Sequence, residues 1–337
     1  MGIERSTLVG TPVVIAPGKV FLVGEYAVLE EGPAVLAAVT RHAVAQFVPG
    51  MNPMSKLVDE AVTRAKAELG EAASALPPGS VLVNTDDFHQ GEQKIGLGSS
   101  AATAVAAVGA LLESAGVSVD ANREQILALA LAAHQAAQGG AGSGADVAAA
   151  VHGGLIKVVR HQGGSPSVEP LRPPSGLRLV VFWTGESVST ARMIEAIQKY
   201  AKANPAAYRE HMDRLREIAS RFVAELRAGS ATGAVAAAGR YGKRLAALGA
   251  AASVSIVTDA FTQASDLAKE VGGIAKPSGA GGGDIGIAMF ATPEAARLFA
   301  RALQKPLVPL DLDLDRLGVR RRGPDEPEAE VSGLFNV

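Results

Sequence analysis

The sequence of 337 residues contains no cysteine and only one tryptophan. Without cysteine, the chain has no disulfide framework, thiolate nucleophile, iron–sulfur cluster or cysteine-bound zinc. The chain also lacks an excess of charge of one sign, since it has 32 Lys and Arg and 34 Asp and Glu. This balance gives no support for a general nucleic-acid or membrane-surface binder. The longest apolar run, residues 101–112, is alanine-rich and too short to span a bilayer.

The N-terminal region shows no signal-peptide core, because Val13-Val14-Ile15 runs directly into Pro17-Gly18-Lys19. Residues 1–6 fit the short pattern for N-myristoylation, a pattern that often matches by chance. The expected compartment is therefore the cytoplasm. With 48% hydrophobic and 20% charged residues, the composition is that of a globular chain, and the length predicts two domains.

Glycine is the residue in excess, with 38 copies, and three loops concentrate it. We call residues 96–102 the first glycine loop, residues 139–144 the second and residues 279–284 the third. Four glycines within five positions of the third loop carry a large cost in chain entropy. Such loops are expected where backbone lies against a ligand or against another strand.

Short strands and longer helices alternate along the chain without an internal repeat, which predicts the α+β class. Expected strands are residues 13–15, 20–23, 34–48, 81–83, 155–159, 177–182 and 285–290. Expected helices are residues 57–69, 101–115, 123–137, a region 190–228 split at Asn204-Pro205, and one after Ser253 running through Leu267. The Gly/Pro/Ser-rich segment 162–176 marks the domain boundary, which predicts domains of residues 1–170 and 171–337.

The first glycine loop immediately precedes a predicted helix and follows Lys94. Its glycines allow a tight turn, and the N–H groups of Ser99 and Ser100 would then favour an anion at the helix N-terminus. The two hydroxyls add contacts to phosphate or Mg²⁺, and Lys94 adds positive charge. The alternative is a serine that caps the helix on a glycine turn.

Two other nucleotide motifs fit this loop poorly. Gly96-x-Gly98-x-x-Ala101 matches the relaxed dinucleotide fingerprint, but that fingerprint requires a buried strand before it, and residues 84–94 are polar. A P-loop is excluded because neither Gly18-Lys19 nor Gly242-Lys243 has a glycine five residues earlier. If ATP binds this chain, it binds at a site other than a P-loop.

Two charged residues lie in settings that suit catalysis. Lys19 follows a Pro-Gly turn at the start of an apolar strand, where a lysine usually faces solvent, and Glu25 at the end of that strand could pair with it. Asp146 follows the second glycine loop among small apolar residues, where partial desolvation suits an orienting group or a base. A helix N-cap is the alternative role for Asp146.

Read together, these segments resemble the motifs of the GHMP kinases, in order, in spacing and over nearly the full chain length. Details within that family resemble its phosphomevalonate kinase branch. The segments that carry this resemblance are residues 24–29, 94–100, 183–190 and 276–284. Tyr26 stands where mevalonate kinases usually have histidine, and Lys94 leads the second motif.

This resemblance implies a two-domain GHMP kinase fold: an N-terminal α+β ATP-binding domain, a ferredoxin-like C-terminal domain and the active site between them. It implies transfer of the ATP γ-phosphoryl group to 5-phosphomevalonate, giving 5-diphosphomevalonate and ADP in isoprenoid biosynthesis through the mevalonate pathway. The implied cofactors are ATP and Mg²⁺. The partners would be small molecules, with no nucleic acid or membrane, and the chain would be a monomer or homodimer.

Site residues follow from the same resemblance, position by position. Lys19 and Asp146 match the catalytic lysine and aspartate. The residues implied at the ATP phosphates are Lys94, Gly96, Leu97, Gly98, Ser99, Ser100 and Ala101, with Ser100 contacting Mg²⁺. The residues expected to close on phosphates or substrate are Ser278, Gly279, Ala280 and Gly281. A cradle for the substrate phosphate would come from Ser187, Ser189, Thr190 and Arg192, although a helix cap would use the same residue types.

The metal site departs from the family pattern. Mevalonate kinases place a metal-binding glutamate eleven residues before the catalytic aspartate, and here that position is Gln135. This difference favours the phosphomevalonate branch over mevalonate kinase. The alternatives that stay open are mevalonate kinase or another GHMP small-molecule kinase, a ligand sensor without turnover, and a nicotinamide-dependent oxidoreductase.

Overall fold

Two antiparallel sheets organise the chain in the computed structural model, which describes residues 11–139, 142–161, 164–323 and 333–335. The strands are β1 (Val13–Val23), β2 (Pro33–Pro49), β3 (Gly79–Asn84), β4 (His89–Gln90), β5 (Gln93–Lys94), β6 (Leu155–Val159), β7 (Ser167–Leu171), β8 (Arg178–Trp183), β9 (Ile274–Pro277), β10 (Ile285–Phe290), β11 (Val308–Pro309) and β12 (Arg320–Arg321). The helices are α1 (Lys56–Leu69), α2 (Glu71–Ser74), α3 (Ser99–Ser114), α4 (Arg123–Ala137), α5 (Ala145–His152), α6 (Thr190–Ala203), α7 (Pro205–Arg227), α8 (Ala231–Ala252), α9 (Asp259–Glu270) and α10 (Pro293–Ala302). This mixture confirms the predicted α+β class.

The first sheet has the order β12-β1-β2-β6-β7, and β3 also pairs with β2. Helix α3 packs against β1 and β2, with α1, α4 and α5 around it. Eleven of the 16 residues of α3 are buried, so this alanine-rich helix forms the centre of the core. We call this sheet and helices α1–α5 the first unit.

Strand β1 is continuous, so the prediction of two short strands separated by a turn is wrong. The pairing with β2 shifts register between Pro17 and Gly18, which shows that the Pro-Gly pair forms a bulge inside one strand. A side chain at Gly18 would lie 2.8 Å from the carbonyl oxygen of Leu97. Lys19 therefore lies within the strand and close to the first glycine loop.

The second sheet has the order β11-β8-β10-β9, and every neighbouring pair is antiparallel. In chain order this is the β-α-β-β-α-β arrangement of a ferredoxin-like fold, with helices α6–α9 filling the first connection. The predicted break at Asn204-Pro205 is confirmed, because α6 ends at Ala203 and α7 begins at Pro205. We call this sheet and helices α6–α10 the second unit.

After β11 the chain returns to the first sheet, where β12 pairs with β1. The segment 162–176 is not wholly a loop, since it contains β7, which pairs with β6. A division at residues 170 and 171 stays a prediction. The predicted myristoylation pattern at residues 1–6 lies outside the described residues. None of the helices in the described parts of the chain is long and apolar enough to cross a membrane.

Asp315 anchors this returning segment to the first unit. Its carboxylate accepts hydrogen bonds from the N–H groups of Leu317 and Gly318 and lies 2.6 Å from the His42 ring and 2.9 Å from Arg320. Burial acts to raise the pKa of Asp315, but His42, Arg320 and the Gly318 N–H together hold it below the usual aspartate value. The ionised carboxylate is therefore favoured in the folded state.

Asp315→Asn is expected to lower the free energy of unfolding at pH 7 by about 1–3 kcal/mol. Because the folded-state pKa is depressed, the stabilisation is present above about pH 4 and is lost as the pH falls through the folded-state pKa. The variant should therefore lose less stability than the parent chain between about pH 4 and 2 in urea titrations. Exposed Asp266→Asn on α9 is the control, and an equally steep acid dependence in Asp315→Asn would contradict the assignment.

Candidate active site

A cavity of about 480 Å³ lies between the two units, within the usual size range of small-molecule sites. Most predicted site residues line it. From the first unit these are Lys19, Lys94, Gly96, Leu97, Gly98, Ser99, Ser100 and Asp146. From the second unit they are Ser187, Thr190, Gly279 and Ala280. Lys19 and Asp284 both line this cavity, although 265 positions separate them in the chain. The sequence motifs therefore converge in space.

The open edge of β1 explains this convergence. The backbone N–H of Lys19 donates to the carbonyl oxygen of Leu97 at 2.8 Å, so the first glycine loop covers the edge where β12 stops. Two residues further on, the hydroxyl of Ser278 accepts from the N–H of Phe21 at 2.8 Å and donates to its carbonyl oxygen at 3.0 Å. The first glycine loop and the residue that immediately precedes the third thus dock side by side on one strand edge.

Lys19 lies at the junction of these loops and is only 7% exposed. Its ammonium donates to the carbonyl oxygen of Gly96 at 3.2 Å. Burial lowers the pKa of Lys19, and the negative charges of Asp146, Asp284 and Glu25 act in the opposite direction. The expectation that Lys19 faces solvent, as a lysine beside a turn usually does, is therefore wrong.

The first glycine loop requires glycine at two positions. Gly96 and Gly98 have φ values of +79° and +83°, in the left-handed region. A side chain on Gly98 would lie 2.9 Å from Cε of Lys19, so the loop can approach the lysine only without a Cβ atom. Gly98 is the N-cap of α3 and no side chain caps this helix end, which leaves the first N–H groups of α3 at the cavity.

Ser100 is the second residue of α3, and its hydroxyl lies 3.0 Å from Nε2 of His134 on α4. The side-chain amide of Gln138 approaches the same Nε2 at 2.9 Å. Because an amide nitrogen can only donate, Nε2 of His134 accepts, and the Ser100 proton is directed toward the ring. The Ser100 oxygen also accepts from the Gln138 amide at 3.5 Å, which leaves one lone pair for a cation or a donor in the cavity. His134 lines the cavity as well.

Asp146 lies in the first turn of α5 and lines the cavity. Gly144, not Asp146, is the N-cap of that helix, so the alternative role of N-cap is excluded. One oxygen of Asp146 accepts from the N–H of Val147 at 3.0 Å. The predicted second glycine loop supplies Gly142 and Ser143 to the wall, whereas residues 140 and 141 lie outside the described part.

Asp284 is a cavity residue that the sequence reasoning does not predict as part of the site. It ends the third glycine loop with a φ of +57°, a conformation that aspartate adopts more readily than most residues. Its Oδ1 accepts from the N–H of Val188 at 3.2 Å. A Cβ atom on Gly96 would lie 2.6 Å from Cβ of Asp284, so the two units meet at this point. Burial raises the pKa of Asp284, and the Val188 N–H, the Lys19 charge and the Ser187 hydroxyl oppose that rise.

Glu25 does not pair with Lys19, as the sequence suggested it could. It forms a buried ion pair with Lys276 of β9, 251 positions away in the chain. The Tyr241 hydroxyl on α8 donates to the backbone carbonyl of Glu25 at 2.7 Å. Burial lowers the pKa of Lys276, while the Glu25 carboxylate opposes that change. The wall of the cavity thus includes Glu25, whose carboxylate is bound by a lysine of the second unit.

Several predicted residues lie beside the cavity instead of in its wall. Ser278 uses its hydroxyl on the backbone of Phe21, and Gly281 packs on Ile256, where a Cβ atom would meet the carbonyl oxygen at 2.4 Å. Ser189 is the N-cap of α6 and accepts from the N–H of Arg192. Arg192 is exposed, and Ala101 is buried in α3. For these residues a direct contact with ligand stays a prediction.

The residues missed by sequence reasoning carried weak signals. Lys276 lies three residues before the third glycine loop and Asp284 ends it, but a charge beside a glycine-rich loop has no single interpretation. Tyr26 has a φ of +63° and donates through its hydroxyl to the carbonyl oxygen of Ala280, a contact that only the assembled units create.

Comparison with known proteins agrees with the kinase resemblance of the sequence motifs. Residues 56–154 match the model of the GHMP kinases N terminal domain. The chain is 29% identical over 350 residues to phosphomevalonate kinase from Streptomyces sp. (strain CL190), covering 86% of this chain and 92% of that protein.

Solved structures show the same fold. The Lin0012 protein from Listeria innocua is 26% identical, with a TM-score of 0.83 over 92% of this chain and 99% of that one. Streptococcus pneumoniae phosphomevalonate kinase in complex with phosphomevalonate and AMPPNP is 22% identical, with a TM-score of 0.78 over 90% of this chain and 99% of that one. Mevalonate kinase from L. major, in complex with R-mevalonate, is 21% identical, with a TM-score of 0.67 over 88% of this chain and 94% of that one.

Proposed function

We propose that this chain, which contains a GHMP kinase N-terminal domain and has the GHMP kinase fold, is a phosphomevalonate kinase. It would transfer the γ-phosphoryl group of ATP to 5-phosphomevalonate, giving 5-diphosphomevalonate and ADP in the mevalonate pathway. The observation that carries this proposal is buried Lys19, held between two glycine loops and beside the uncapped N-terminus of α3. Similarity to the Streptomyces enzyme over most of both chains supports the choice of acceptor.

The ATP phosphates would lie at the end of the cavity formed by Lys94, Gly96, Gly98 and Ser100. Backbone N–H groups of the first turn of α3 favour negative charge there, without a basic surface. Lys94 is an exposed residue of the cavity lining and adds a positive charge. This arrangement fits the near-neutral composition of the chain, because the anion site uses backbone dipoles and few lysines.

Mg²⁺ would be held by Ser100 and by ATP phosphate oxygens. The described residues contain no group of three acidic, histidine or cysteine side chains that could hold a metal, so ATP phosphates and water would supply most of the ligands. The donor set fits, since the Ser100 hydroxyl donates to His134 and its oxygen keeps one lone pair that could coordinate Mg²⁺. When bound, Mg²⁺ neutralises charge on the transferring phosphoryl group.

The acceptor would lie at the other end of the cavity, between residues 25–29 and the first turn of α6. Ser187 and Thr190 line this end, together with Gly279 and Ala280. The N-terminus of α6 supplies a favourable dipole for an acceptor phosphate. Ser189 and Arg192 are proposed to support this phosphate from the same turn.

Transfer between two phosphates depends mainly on positioning and on neutralising charge. The second pKa of a phosphomonoester is about 6, so at pH 7 the acceptor oxygen is already largely ionised and needs little help from a base. Lys19 would lie between the repelling phosphates, and Asp146 would orient Lys19 or the acceptor. Lys19 should therefore matter more than proton removal by Asp146.

Gly98→Ala tests the contact between the first glycine loop and Lys19. A methyl group there would meet Cε of Lys19 at 2.9 Å, so we expect kcat to fall about 10- to 100-fold as the lysine shifts. Gly116→Ala is the matched control, because Gly116 has a similar φ of +79° but no atom within 4 Å of an added Cβ. Both variants should lose about 1–2 kcal/mol of stability from backbone strain. Equal kcat values for the two variants would contradict the proposed contact.

A coupled ADP-release assay, with mevalonate and phosphomevalonate offered separately, tests the function. We expect ADP release only with phosphomevalonate. Release with mevalonate alone would assign the chain to mevalonate kinase activity. ATP binding without release on either acceptor would instead favour a ligand sensor. The cytoplasmic location and the oligomeric state, monomer or homodimer, stay predictions.

A further inference from the structure

Tyr26 lies at the centre of a strained turn that follows β1. Its φ of +63° and ψ of −47° are those of the rare γ-turn with positive φ, and the N–H of Ala27 donates to the carbonyl oxygen of Glu25 at 2.8 Å to close that turn. A residue other than glycine keeps such a conformation only where its surroundings impose it, and outliers of this kind concentrate at functional sites. The contacts of Tyr26 therefore indicate what the turn does.

The second unit holds this turn in place. The Tyr241 hydroxyl donates to the same carbonyl oxygen of Glu25 at 2.7 Å, and the Glu25 side chain is fixed by its buried ion pair with Lys276. The backbone on the N-terminal side of Tyr26 is thus set by contacts from α8 and β9. With the turn held in this way, the tyrosine side chain points into the space between the two units.

The Tyr26 side chain reaches from this turn to the third glycine loop. The residue lines the cavity and is only 5% exposed, and its hydroxyl donates to the carbonyl oxygen of Ala280 at 2.5 Å. Burial and the nearby Glu25 charge raise the pKa of Tyr26, so the hydroxyl stays protonated and remains a donor at neutral pH. A neutral phenol therefore joins the first unit to a backbone carbonyl of the second.

This bond holds the part of the third glycine loop that faces the cavity. The two sides of the loop are fixed elsewhere, because Ser278 docks on Phe21 and the N–H of Gly282 donates to the carbonyl oxygen of Ile256 at 2.9 Å. Residues 279–280 lie between these anchors and line the cavity. The tyrosine hydroxyl thus fixes the stretch of loop that a ligand would contact.

We propose that Tyr26 is a positioning residue for the acceptor: its hydroxyl holds the Ala280 carbonyl, so that residues 279–280 keep the shape of the acceptor end of the cavity. This inference rests on the proposed function for the identity of the acceptor. The ATP phosphates would lie at the other end, at the first glycine loop. Loss of the hydroxyl should therefore weaken acceptor binding and leave ATP binding nearly unchanged.

Tyr26→Phe tests this role, because it keeps the ring and removes only the hydroxyl. Loss of one hydrogen bond predicts an acceptor KM raised about 3- to 10-fold, with the ATP KM within about twofold of the parent. Tyr208→Phe is the matched control. Its hydroxyl also joins the two units, by donating to exposed Glu30 at 2.9 Å, but among the described residues neither member of that pair lines the cavity. Both KM values should therefore stay at the parent level in Tyr208→Phe.

Hydrogen–deuterium exchange gives a second measurement that does not depend on turnover. Peptides covering residues 278–284 should exchange about 3- to 10-fold faster in Tyr26→Phe than in the parent, and at the parent rate in Tyr208→Phe. An acceptor KM of Tyr26→Phe within twofold of the parent would overturn the inference, as would equal increases in both KM values or the same acceptor KM in the two variants. If the parent chain does not phosphorylate phosphomevalonate, the proposed function is wrong. Unchanged exchange in Tyr26→Phe would refute the positioning of the loop whatever the acceptor is.

Discussion

Lys19→Met is expected to lower kcat about 10²- to 10³-fold, while the affinity for ATP stays within about fivefold of the parent. The ammonium is buried at the cavity, where a positive charge acts on phosphates with little screening by water. Methionine fills a similar volume, so the loss should fall on charge more than on packing. Stopped-time assays of ADP formation would give kcat, and calorimetric titration with ATP would give affinity.

Asp146→Asn should have a smaller effect, about 10-fold in kcat, because the acceptor phosphate is already largely ionised at pH 7. The amide keeps the shape and one acceptor oxygen, so it removes mainly the negative charge that acts on Lys19. Lys202→Met, on the exposed surface of α6, should leave both constants unchanged. If Asp146→Asn abolishes turnover while Lys19→Met remains near normal, the order of these roles is wrong.

The second large effect concerns stability. Lys276→Met alone should lower the free energy of unfolding by about 3–5 kcal/mol, because it leaves the Glu25 carboxylate buried without its partner. Total stabilities of about 5–15 kcal/mol are typical, so this is a severe loss. Urea denaturation at pH 7 would measure the difference.

Removing Glu25 as well should recover most of that loss, since a buried ion pair is frequently replaceable by neutral groups of similar volume. The double variant with Glu25→Gln is thus the matched comparison for Lys276→Met. A double variant less stable than Lys276→Met would show that the two side chains stabilise the fold independently. Equal stability of Lys276→Met and the parent would contradict the burial of this pair.

Elements with a clear local pattern could be predicted from the sequence. Helix α4 and strands β6 and β10 have the predicted bounds, because their apolar residues repeat at helical or strand spacing. Helix α8 lacks such a signal, since its alanines and glycines show no strong apolar face. Close packing explains the small residues of α8. A Cβ atom on Gly239 would lie 2.9 Å from Ile274, so small residues let the helix approach β9.

Tertiary contacts override local chemistry at β1. Pro17-Gly18 has the sequence of a turn, yet pairing with β2 continues on both sides of it. The strand therefore carries Lys19 into the interior instead of exposing it at a strand end. Local propensity is a weak guide where a long partner strand is available, as β2 is here.

The candidate site was predictable where a single segment carries the signal and unpredictable where two segments must meet. The glycines and serines of residues 96–100, together with the helix that follows them, predict a phosphate-binding loop. Asp284 enters the site because Ser278, which immediately precedes the third glycine loop, docks on β1. The pairing of Glu25 with Lys276 also depends on the two units being assembled, and no local pattern encodes it.

The most direct test of the proposed activity is ³¹P NMR of the product formed from ATP and phosphomevalonate. Transfer to the acceptor phosphate predicts ADP together with two mutually coupled resonances of a new diphosphate. Transfer to a hydroxyl would instead give ADP and two uncoupled phosphomonoester resonances, and hydrolysis would give ADP and inorganic phosphate with phosphomevalonate unchanged. Either of these products, or unchanged substrates, would contradict the proposed reaction.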